Sequence, residues 1–332
     1  MAKYAFPQSL LILVFSSAVF GQSLEITVID VGQGDAILIR FPPNAAGASK
    51  HMLIDGGGSE AADSTLVTFL QAKGIATLDV VVLTHPHQDH FRGLTEVFNQ
   101  FTVKEFWWTG EARGPSRDAV TPTDWAEFET AMNRAEEQVI VSQNMSRSFQ
   151  RARIKVLNAG GEYPDTSDGV DINNDSMVLL LSYRGVRVLF PGDIEEDEGK
   201  DLVNDYCSSS TNHCRKLNVD VIKIPHHGSD HLWPDFVRFA DAEIALLSAG
   251  HSNRQFHHPR RDAIRAYEEA GAEEVFSTSL EGINHITVTI GPTWGQFTVT
   301  GASSGYTFWR NMDDDESCDG EVHNGYCLEI AE

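Results

Sequence analysis

The chain has 332 residues, of which 41% are hydrophobic and 22% are charged. This composition excludes a disordered chain and a coiled coil, and the length suits one large α/β domain or two ordinary ones. Asp and Glu number 48 against 25 Lys and Arg, which gives a formal net charge of −23. The mean surface field therefore repels polyanions and disfavours a basic nucleic-acid binder.

Residues 1–21 have the pattern of a signal peptide. Lys3 precedes an apolar run over 10–15, and small residues follow up to Gly21. The run is shorter than the roughly 20 residues that span a bilayer, and no later segment of the sequence is apolar enough to do so. We therefore expect a secreted or periplasmic protein with no transmembrane segment in its mature chain. An uncleaved N-terminal anchor is the alternative.

Short β-branched runs alternate with amphipathic segments along the rest of the chain. Their periodicity predicts strands over Leu24–Asp30, Asp35–Phe41, Met52–Asp55, Val80–Thr84, Ile154–Leu157, Met177–Tyr183, Val186–Phe190, Val219–Ile224, Ile244–Ser248, Val275–Thr278, Ile286–Ile290 and Phe297–Thr300. It predicts helices over Ser64–Lys73, His90–Gln100, Thr123–Glu137, Glu195–Asp205 and Arg260–Ala270. So many strands disfavour a doubly wound parallel sheet. Hairpin-like junctions at 32–34 and 184–185 add antiparallel pairs, so we expect mixed sheets.

The regular pattern fades beyond about residue 301 into an acidic tail. The four cysteines form two pairs that are close in sequence, Cys207 with Cys214 and Cys318 with Cys327. Neither pair has metal-ligand spacing, and two disulfide-closed loops suit an exported protein, with unpaired thiols as the alternative. The expected organisation is a signal peptide over 1–21, one domain over 22–302 and a disulfide-closed acidic tail over 303–332.

A dense group of ionisable residues follows the fourth predicted strand, where segment 85–90 is HPHQDH. Pro86 keeps His85 out of a helix, which excludes the zincin pair of histidines on one helical turn. Alternation predicts that His85, His87 and Asp89 lie on one side of an extended loop and that a helix starts directly after them. Such a loop can supply one metal position from its first two histidines and a second position from Asp89 and His90.

Two more predicted strands end on residues of metal-ligand type. Val186–Phe190 leads to Asp193, whose carboxylate is placed where it can bridge two cations, and Val219–Ile224 leads to the pair His226 and His227. Each pattern alone is weak, because Gly-Asp is usually a turn and a histidine pair often lies in a solvated loop. The three strand ends reinforce one another, since functional residues collect on loops at strand ends.

A series of short motifs is ordered along the chain: Asp30-Val31-Gly32-Gln33-Gly34-Asp35, Ile54-Asp55-Gly56-Gly57, Thr84-His85-x-His87-x-Asp89-His90, Asn173-x-x-Ser176, Pro191-Gly192-Asp193, His226-His227-Gly228-Ser229 and His258-Pro259. This set resembles the metallo-β-lactamase superfamily, and more narrowly the branch with the metallo-hydrolase domain of the DNA-uptake protein ComEC and secreted phosphorylcholine esterases. The resemblance runs from about Leu24 to about Thr300. It implies an α+β fold, a four-layer αββα sandwich of two mixed β-sheets flanked by helices, with residues 22–302 as its hydrolase domain.

The resemblance also implies a set of metal ligands, which are His85 and His87 for a first ion, Asp89, His90 and His227 for a second, and Asp193 as a bridge. His227 is preferred to its neighbour because the last histidine of the family immediately precedes a glycine, here Gly228. Where many members have a third histidine for the first ion, this chain has the segment Asn173-Asn174-Asp175-Ser176.

The resemblance places three further residues on the substrate side as catalytic candidates, namely His226, Asn173 and His258. For His258 the alternative is a polar loop. Asp55 is expected to support the ligand histidines by fixing the imidazole tautomers, with an ordinary turn as the alternative. Asp30 and Asp35 flank the expected hairpin, and we interpret them as architecture.

The implied chemistry is hydrolysis by a water that two divalent ions activate. Zinc is the first expectation from the histidine-rich ligands, and the carboxylates leave manganese open. The expected substrate is a phosphodiester, either a small molecule such as a phosphocholine-type ester or a polymer, with nucleic acid disfavoured by the net charge. The alternatives are a carboxylic ester, thioester or lactam hydrolase of the same fold and a non-catalytic extracellular metal-binding module.

Overall fold

A computed structural model of the chain describes residues 23–58, 60–110, 122–160, 172–207, 214, 216–251, 257–279, 285–301, 306–311, 321–323 and 326–330. The expected signal peptide therefore lies outside the described residues. Within these ranges, none of the helices has the length and apolar character needed to cross a membrane.

The elements of secondary structure alternate along the chain. The strands are β1 (Leu24–Val28), β2 (Ile37–Arg40), β3 (His51–Ile54), β4 (Thr77–Val82), β5 (Thr102–Trp108), β6 (Glu137–Ile140), β7 (Ser146–Phe149), β8 (Ala152–Asn158), β9 (Val178–Tyr183), β10 (Val186–Phe190), β11 (Val221–Lys223), β12 (Ile244–Leu247), β13 (Glu274–Ser277), β14 (Ile286–Ile290), β15 (Phe297–Thr300), β16 (Tyr306–Asn311), β17 (Glu321–His323) and β18 (Tyr326–Ile330). The α-helices are α1 (Glu60–Ala72), α2 (Gln88–Gln100), α3 (Pro122–Met132), α4 (Glu196–Tyr206), α5 (Pro234–Ala240) and α6 (Arg261–Glu269).

Two mixed sheets form the centre of the fold. The first has the strand order β15-β14-β1-β2-β3-β4-β5-β6, and the second has the order β13-β12-β11-β10-β9-β8-β7. Strands β3 to β6 are mutually parallel, as are β10 to β13, whereas the remaining neighbours are antiparallel. Both expected hairpins, β1–β2 and β9–β10, are confirmed.

The hydrophobic core has three layers, one between the two sheets and one between each sheet and the helices on its outer face. Side chains such as Ile26 and Val188 from the two sheets meet in the central layer. Phe91 of α2 and its neighbours cover the first sheet, and Phe236 of α5 and Tyr267 of α6 cover the second. Alternating strand residues thus bury one face against the other sheet and one against helices. The expected αββα sandwich is confirmed.

Several boundaries differ from the sequence prediction. The helix expected over Thr123–Glu137 ends at Met132, and Glu137 instead begins strand β6. That strand lies at the sheet edge and is largely exposed, so it lacks the apolar alternation that marks a buried strand. It begins with Glu137 and Gln138, residue types that favour a helix. The tail also contains a three-stranded sheet, β16-β18-β17. Its strands contain aromatic residues that favour β-structure, but the many acidic residues of the tail dominate its average composition and conceal this pattern.

The disulfide between Cys207 and Cys214 is confirmed. Cys318, half of the other expected pair, lies outside the described residues. We expect peptide mapping under non-reducing conditions to recover both pairs, Cys207–Cys214 and Cys318–Cys327, because short disulfide loops persist in an oxidising compartment. Recovery of four free thiols from exported protein would contradict both the pairing and the export.

Candidate metal centre

The predicted ligands converge at one end of the two sheets, where β4, β10 and β11 finish. His85 follows β4, Asp193 follows β10, and His227 lies in a short 3₁₀ turn after β11. His85, His90, Asp193 and His227 are all buried, each with an exposed fraction of 1% or less. Burial of ionisable side chains is costly unless they are paired or bind a metal, so their concentration here indicates a site.

The second metal position has four converging ligand atoms. The Nε2 atoms of His90 and His227 lie 3.1 and 3.0 Å from Oδ2 of Asp193. Oδ2 of Asp89 lies 3.3 Å from His227 Nε2. His227 Nε2 is buried and makes no well-aligned hydrogen bond, as expected for an atom that faces a cation. Two imidazoles and two carboxylates are a ligand set that zinc accepts, so these residues fit a divalent ion.

The first metal position has fewer ligands. Nε2 of His85 lies 3.0 Å from Nδ1 of His87, and His85, His90 and Asp193 form a compact group whose ligand atoms lie within 4.8 Å of one another. Asp193 therefore belongs to the groups at both positions, as a bridge requires. Among the described residues, His87 is in none of these compact groups, and its contact is with His85.

The prediction of an extended loop from His85 to Asp89 is wrong at its end. Helix α2 begins at Gln88, with His87 in extended conformation as its N-cap. Asp89 and His90 therefore lie in the first helical turn, and the helix carries them towards His227 while the two earlier histidines remain on the loop. Pro86 keeps His85 out of the helical region, so the helix cannot include that histidine.

Hydrogen bonds behind the imidazoles fix their orientation. The ring nitrogen Nδ1 of His90 donates to Oδ2 of Asp55 at 2.8 Å, and Nδ1 of His227 donates to the carbonyl oxygen of Ser248 at 2.9 Å. Both contacts leave Nε2 facing the centre, which is how metal-binding histidines are normally held. The expected support from Asp55 is thus present, and Asp55 also accepts from the backbone N–H and the hydroxyl of Thr84.

The segment Asn173-Asn174-Asp175-Ser176 organises the surroundings of the site. The Ser176 hydroxyl lies 3.2 Å from Nδ1 of His85 and 3.0 Å from the backbone nitrogen of Asp193. The side-chain oxygen of Asn174 accepts from the backbone N–H groups of Glu195 and Glu198 and so caps α4. This segment therefore contacts the candidate ligand His85 and holds the N-terminal end of α4.

Different effects shift the pKa of Asp193 and the pKa values of His85 and His87. Burial raises the pKa of Asp193, but the adjacent imidazoles and the Lys223 ammonium outweigh it and hold that pKa well below its usual range. Burial lowers the pKa of His85 well below its usual value and also lowers that of His87. Asp193 is therefore a carboxylate and His85 and His87 are neutral, which are the forms that bind metal ions. Burial also lowers the pKa of His90 and His227, but there the adjacent carboxylates outweigh it and raise that pKa well above its usual value.

A second polar cluster lies on the substrate side of the centre. Nδ1 of His226 lies 2.9 Å from Oε1 of Glu195, and the Asn173 amide donates to the same oxygen at 2.8 Å. The rings of His226 and His258 are 5.2 Å apart between centroids. The structure thus brings together all three predicted catalytic candidates. Burial lowers the pKa of His258 to about 3, with a further contribution from the neighbouring imidazoles, so its ring is neutral.

Sequence reasoning missed two charged residues of the site, Glu195 and Lys223, and interpreted a third, Asp35, as architecture first. Glu195 joins the predicted catalytic candidates, whereas Lys223 and Asp35 lie beneath the metal centre, where the Lys223 ammonium is 2.6 Å from Oδ2 of Asp35. Asp35, which the sequence placed beside the hairpin, therefore also pairs with a buried charge beneath the site. A signal for Lys223 exists, because a lysine within a buried strand requires a partner.

Glycines allow the β1–β2 hairpin to approach Asp89. A Cβ atom at Gly34, where φ is +116°, would lie 2.1 Å from the carbonyl oxygen of Asp89. That carbonyl accepts a hydrogen bond from the backbone N–H of Asp35. At Gly32, where φ is +76°, a Cβ atom would have no neighbour within 4 Å. Both positions therefore require a residue that tolerates a positive φ, but only Gly34 also lacks room for a Cβ atom.

We expect Gly34→Ala to lower the free energy of unfolding by about 2–6 kcal/mol, because backbone strain and steric overlap each cost about 1–3 kcal/mol. Gly32→Ala is the matched control, since it introduces the strain alone. Urea denaturation of both variants measures the difference. Equal losses would show that the hairpin can move away from Asp89 without cost.

The fold and the buried cluster together define a protein of the αββα class with a cluster of His and Asp side chains at its strand ends that could hold metal ions. The family model described as Metallo-beta-lactamase superfamily matches residues 29–251, and the chain belongs to this superfamily. ComE operon protein 3 of Bacillus subtilis (strain 168) is 26% identical over 77% of this chain and 32% of its own length. Competence protein ComA of Neisseria gonorrhoeae is 27% identical over 77% of this chain and 31% of its own length. The chain spans about a third of the length of these curated relatives.

Solved structures with a similar fold share little sequence with the chain. CmlA, a diiron beta-hydroxylase from Streptomyces venezuelae, is 14% identical with a TM-score of 0.49, covering 81% of this chain and 54% of CmlA. The metallo-beta-lactamase fold protein YhfI from Bacillus subtilis is 12% identical with a TM-score of 0.44, covering 76% of this chain and 96% of YhfI. These likenesses concern the fold alone.

Proposed function

We propose that the protein is a secreted phosphodiesterase that uses two divalent metal ions. The observation that carries the proposal is the position of Asp193, whose Oδ2 atom lies within 3.1 Å of ring nitrogens from both His90 and His227 and which also groups with His85. Two divalent ions bound by this cluster would activate a water near neutral pH and polarise the electrophile. Zinc suits the imidazole-rich set, and manganese is the alternative because of the carboxylates.

The other residues of the site orient the imidazoles or contact the substrate. Asp55 and the Ser248 carbonyl keep the imidazoles of His90 and His227 oriented towards the ions. On the substrate side, Glu195 orients His226, which we assign to the leaving group as a positioning or proton-donating residue. Asn173 and the neutral His258 lie beside it and are assigned to polar contacts with the substrate.

Charge supports an anionic substrate at this site. With two divalent ions bound, their charge and that of Lys223 balance the charge of the nearby carboxylates, which belong to Asp35, Asp55, Asp89, Asp193 and Glu195. The two ions would form a local positive spot that favours a phosphodiester monoanion even though the chain as a whole carries −23. The overall charge favours a small phosphodiester over nucleic acid. The Cys207–Cys214 disulfide supports export.

The test is elemental analysis followed by assays on four substrates in parallel, which are bis-p-nitrophenyl phosphate, p-nitrophenyl phosphorylcholine, nucleic acid and nitrocefin. We expect close to two ions per chain and hydrolysis of a small phosphodiester that is lost when a chelator removes the metal. Turnover of nitrocefin or of carboxylic esters alone would instead favour the lactamase or esterase alternative. A metal-loaded protein that is inert towards all substrates would favour a non-catalytic binding module.

A further inference from the structure

Lys223 is a completely buried lysine at the end of β11, with an exposed fraction of 0%. Its ammonium group lies 2.6 Å from Oδ2 of Asp35, 3.1 Å from Oδ1 of Asp193 and 3.0 Å from the carbonyl oxygen of Gly192. An ammonium group has three hydrogens to donate, so these three acceptors use them all. No donor remains for a substrate, and any role of Lys223 in the reaction must act through its partners.

The contact with Lys223 assigns different partners to the two oxygens of Asp193. Oδ1 is held by the ammonium group, and Oδ2 faces the Nε2 atoms of His90 and His227. The backbone nitrogen of Asp193 is also fixed, because it donates to the Ser176 hydroxyl. Rotation of the carboxylate would break the charged hydrogen bond to Lys223, which is stronger than a neutral one.

The same lysine connects the two halves of the sandwich. Asp35 lies in the connection between β1 and β2 of the first sheet, whereas Lys223 ends β11 and Asp193 follows β10 in the second. Asp35 is also 3.5 Å from Nδ1 of His227 through its other oxygen. The buried group of Lys223, Asp35 and Asp193 therefore fixes the β1–β2 hairpin, which packs on Asp89, relative to the strand ends that position Asp193.

We propose that Lys223 is a positioning residue of the metal centre, which restricts the bridging carboxylate of Asp193 to a single oxygen directed at the ions. The inference rests on the metal-binding part of the proposed function. A lysine that only stabilised the fold would change the unfolding temperature without changing how the folded protein binds metal. A positioning lysine changes the affinity for the ions and their coordination.

The experiment is a Co²⁺ titration of the full mature chain, followed by the visible absorption of the bound ion, with folding checked by circular dichroism. Lys223→Met keeps most of the side-chain volume but leaves two buried carboxylates without their cation. The double variant Lys223→Met with Asp35→Asn removes one of those charges, and such replacement of a buried pair by groups of similar volume is often tolerated. Lys104→Met is the control, because Lys104 also lies in a sheet and pairs with a carboxylate, Asp79 at 2.8 Å, away from the site.

We expect the wild type and Lys104→Met to bind two Co²⁺ ions with the same spectrum. The folded Lys223 variants should bind Co²⁺ at least tenfold more weakly and with an altered spectrum, because Asp193 becomes free to present both oxygens. Affinity within twofold of the wild type and a superimposable spectrum in the folded double variant would overturn the inference about Lys223. A wild-type chain that takes up no Co²⁺ would overturn the metal centre itself.

Discussion

Replacing Asp193 with alanine is expected to remove both metal ions and hydrolysis with them. Asp193 belongs to the groups at both positions, so a single substitution removes a proposed ligand from each. Loss of a residue that only supports a ligand typically weakens metal affinity about 10- to 100-fold, and loss of a shared ligand should exceed that at both positions. The variant also leaves Lys223 buried beside Asp35 without its other carboxylate, so we expect a lower unfolding temperature as well.

Elemental analysis of purified Asp193→Ala protein, with thermal unfolding measured in parallel, tests this expectation. Asp197→Ala is the control, because Asp197 lies on the exposed side of α4 just beyond the site and its loss changes net charge equally. The control should retain close to two ions per chain. Full metal content in folded Asp193→Ala protein would contradict the assignment of a bridging ligand.

The strand ends of the site could be predicted from the sequence because each follows a largely apolar run. Val80–Val82, Val186–Phe190 and Val221–Ile222 are buried in parallel or mixed sheets, and such runs mark the strand without any knowledge of its partners. Polar residues that follow parallel neighbours such as β10 and β11 emerge at the same edge of the sheet. Local sequence thus determined where the histidines and Asp193 would meet.

The residues that could not be predicted depend on contacts between distant segments. Lys223 pairs with Asp35 across the two sheets, and Glu195 contacts His226 from the loop before α4. Neither pairing leaves a periodic or spacing signal, because the partners are brought together only by the packing of complete layers. Strand β6 was missed for a related reason, since an exposed edge strand acquires its conformation from pairing with β5 and not from its own residues.

The adjacent histidines after β11 are expected to respond differently to substitution by alanine. His227 has Nδ1 on the Ser248 carbonyl and Nε2 beside Asp89 and Asp193, so His227→Ala should lower metal content and hydrolysis together. His226 points to Glu195 and is partly exposed. His226→Ala should therefore retain the ions and lose about 10²-fold or more in kcat, the usual contribution of a positioned acid or base.

The rings of His226 and His227 point to different partners, and the backbone of both residues has an unusual conformation. Both residues have positive φ, 45° at His226 and 52° at His227, a conformation that is costly for a non-glycine residue and that concentrates at functional sites.

The measurement that tests the His226→Ala and His227→Ala variants is metal content beside kcat for each variant on one phosphodiester. Loss of the ion in His226→Ala with retention in His227→Ala would reverse the ligand assignment and leave the hydrolase proposal intact. Full metal content and full activity in both variants would mean that the histidine pair is an ordinary loop, and the proposed centre would then be wrong.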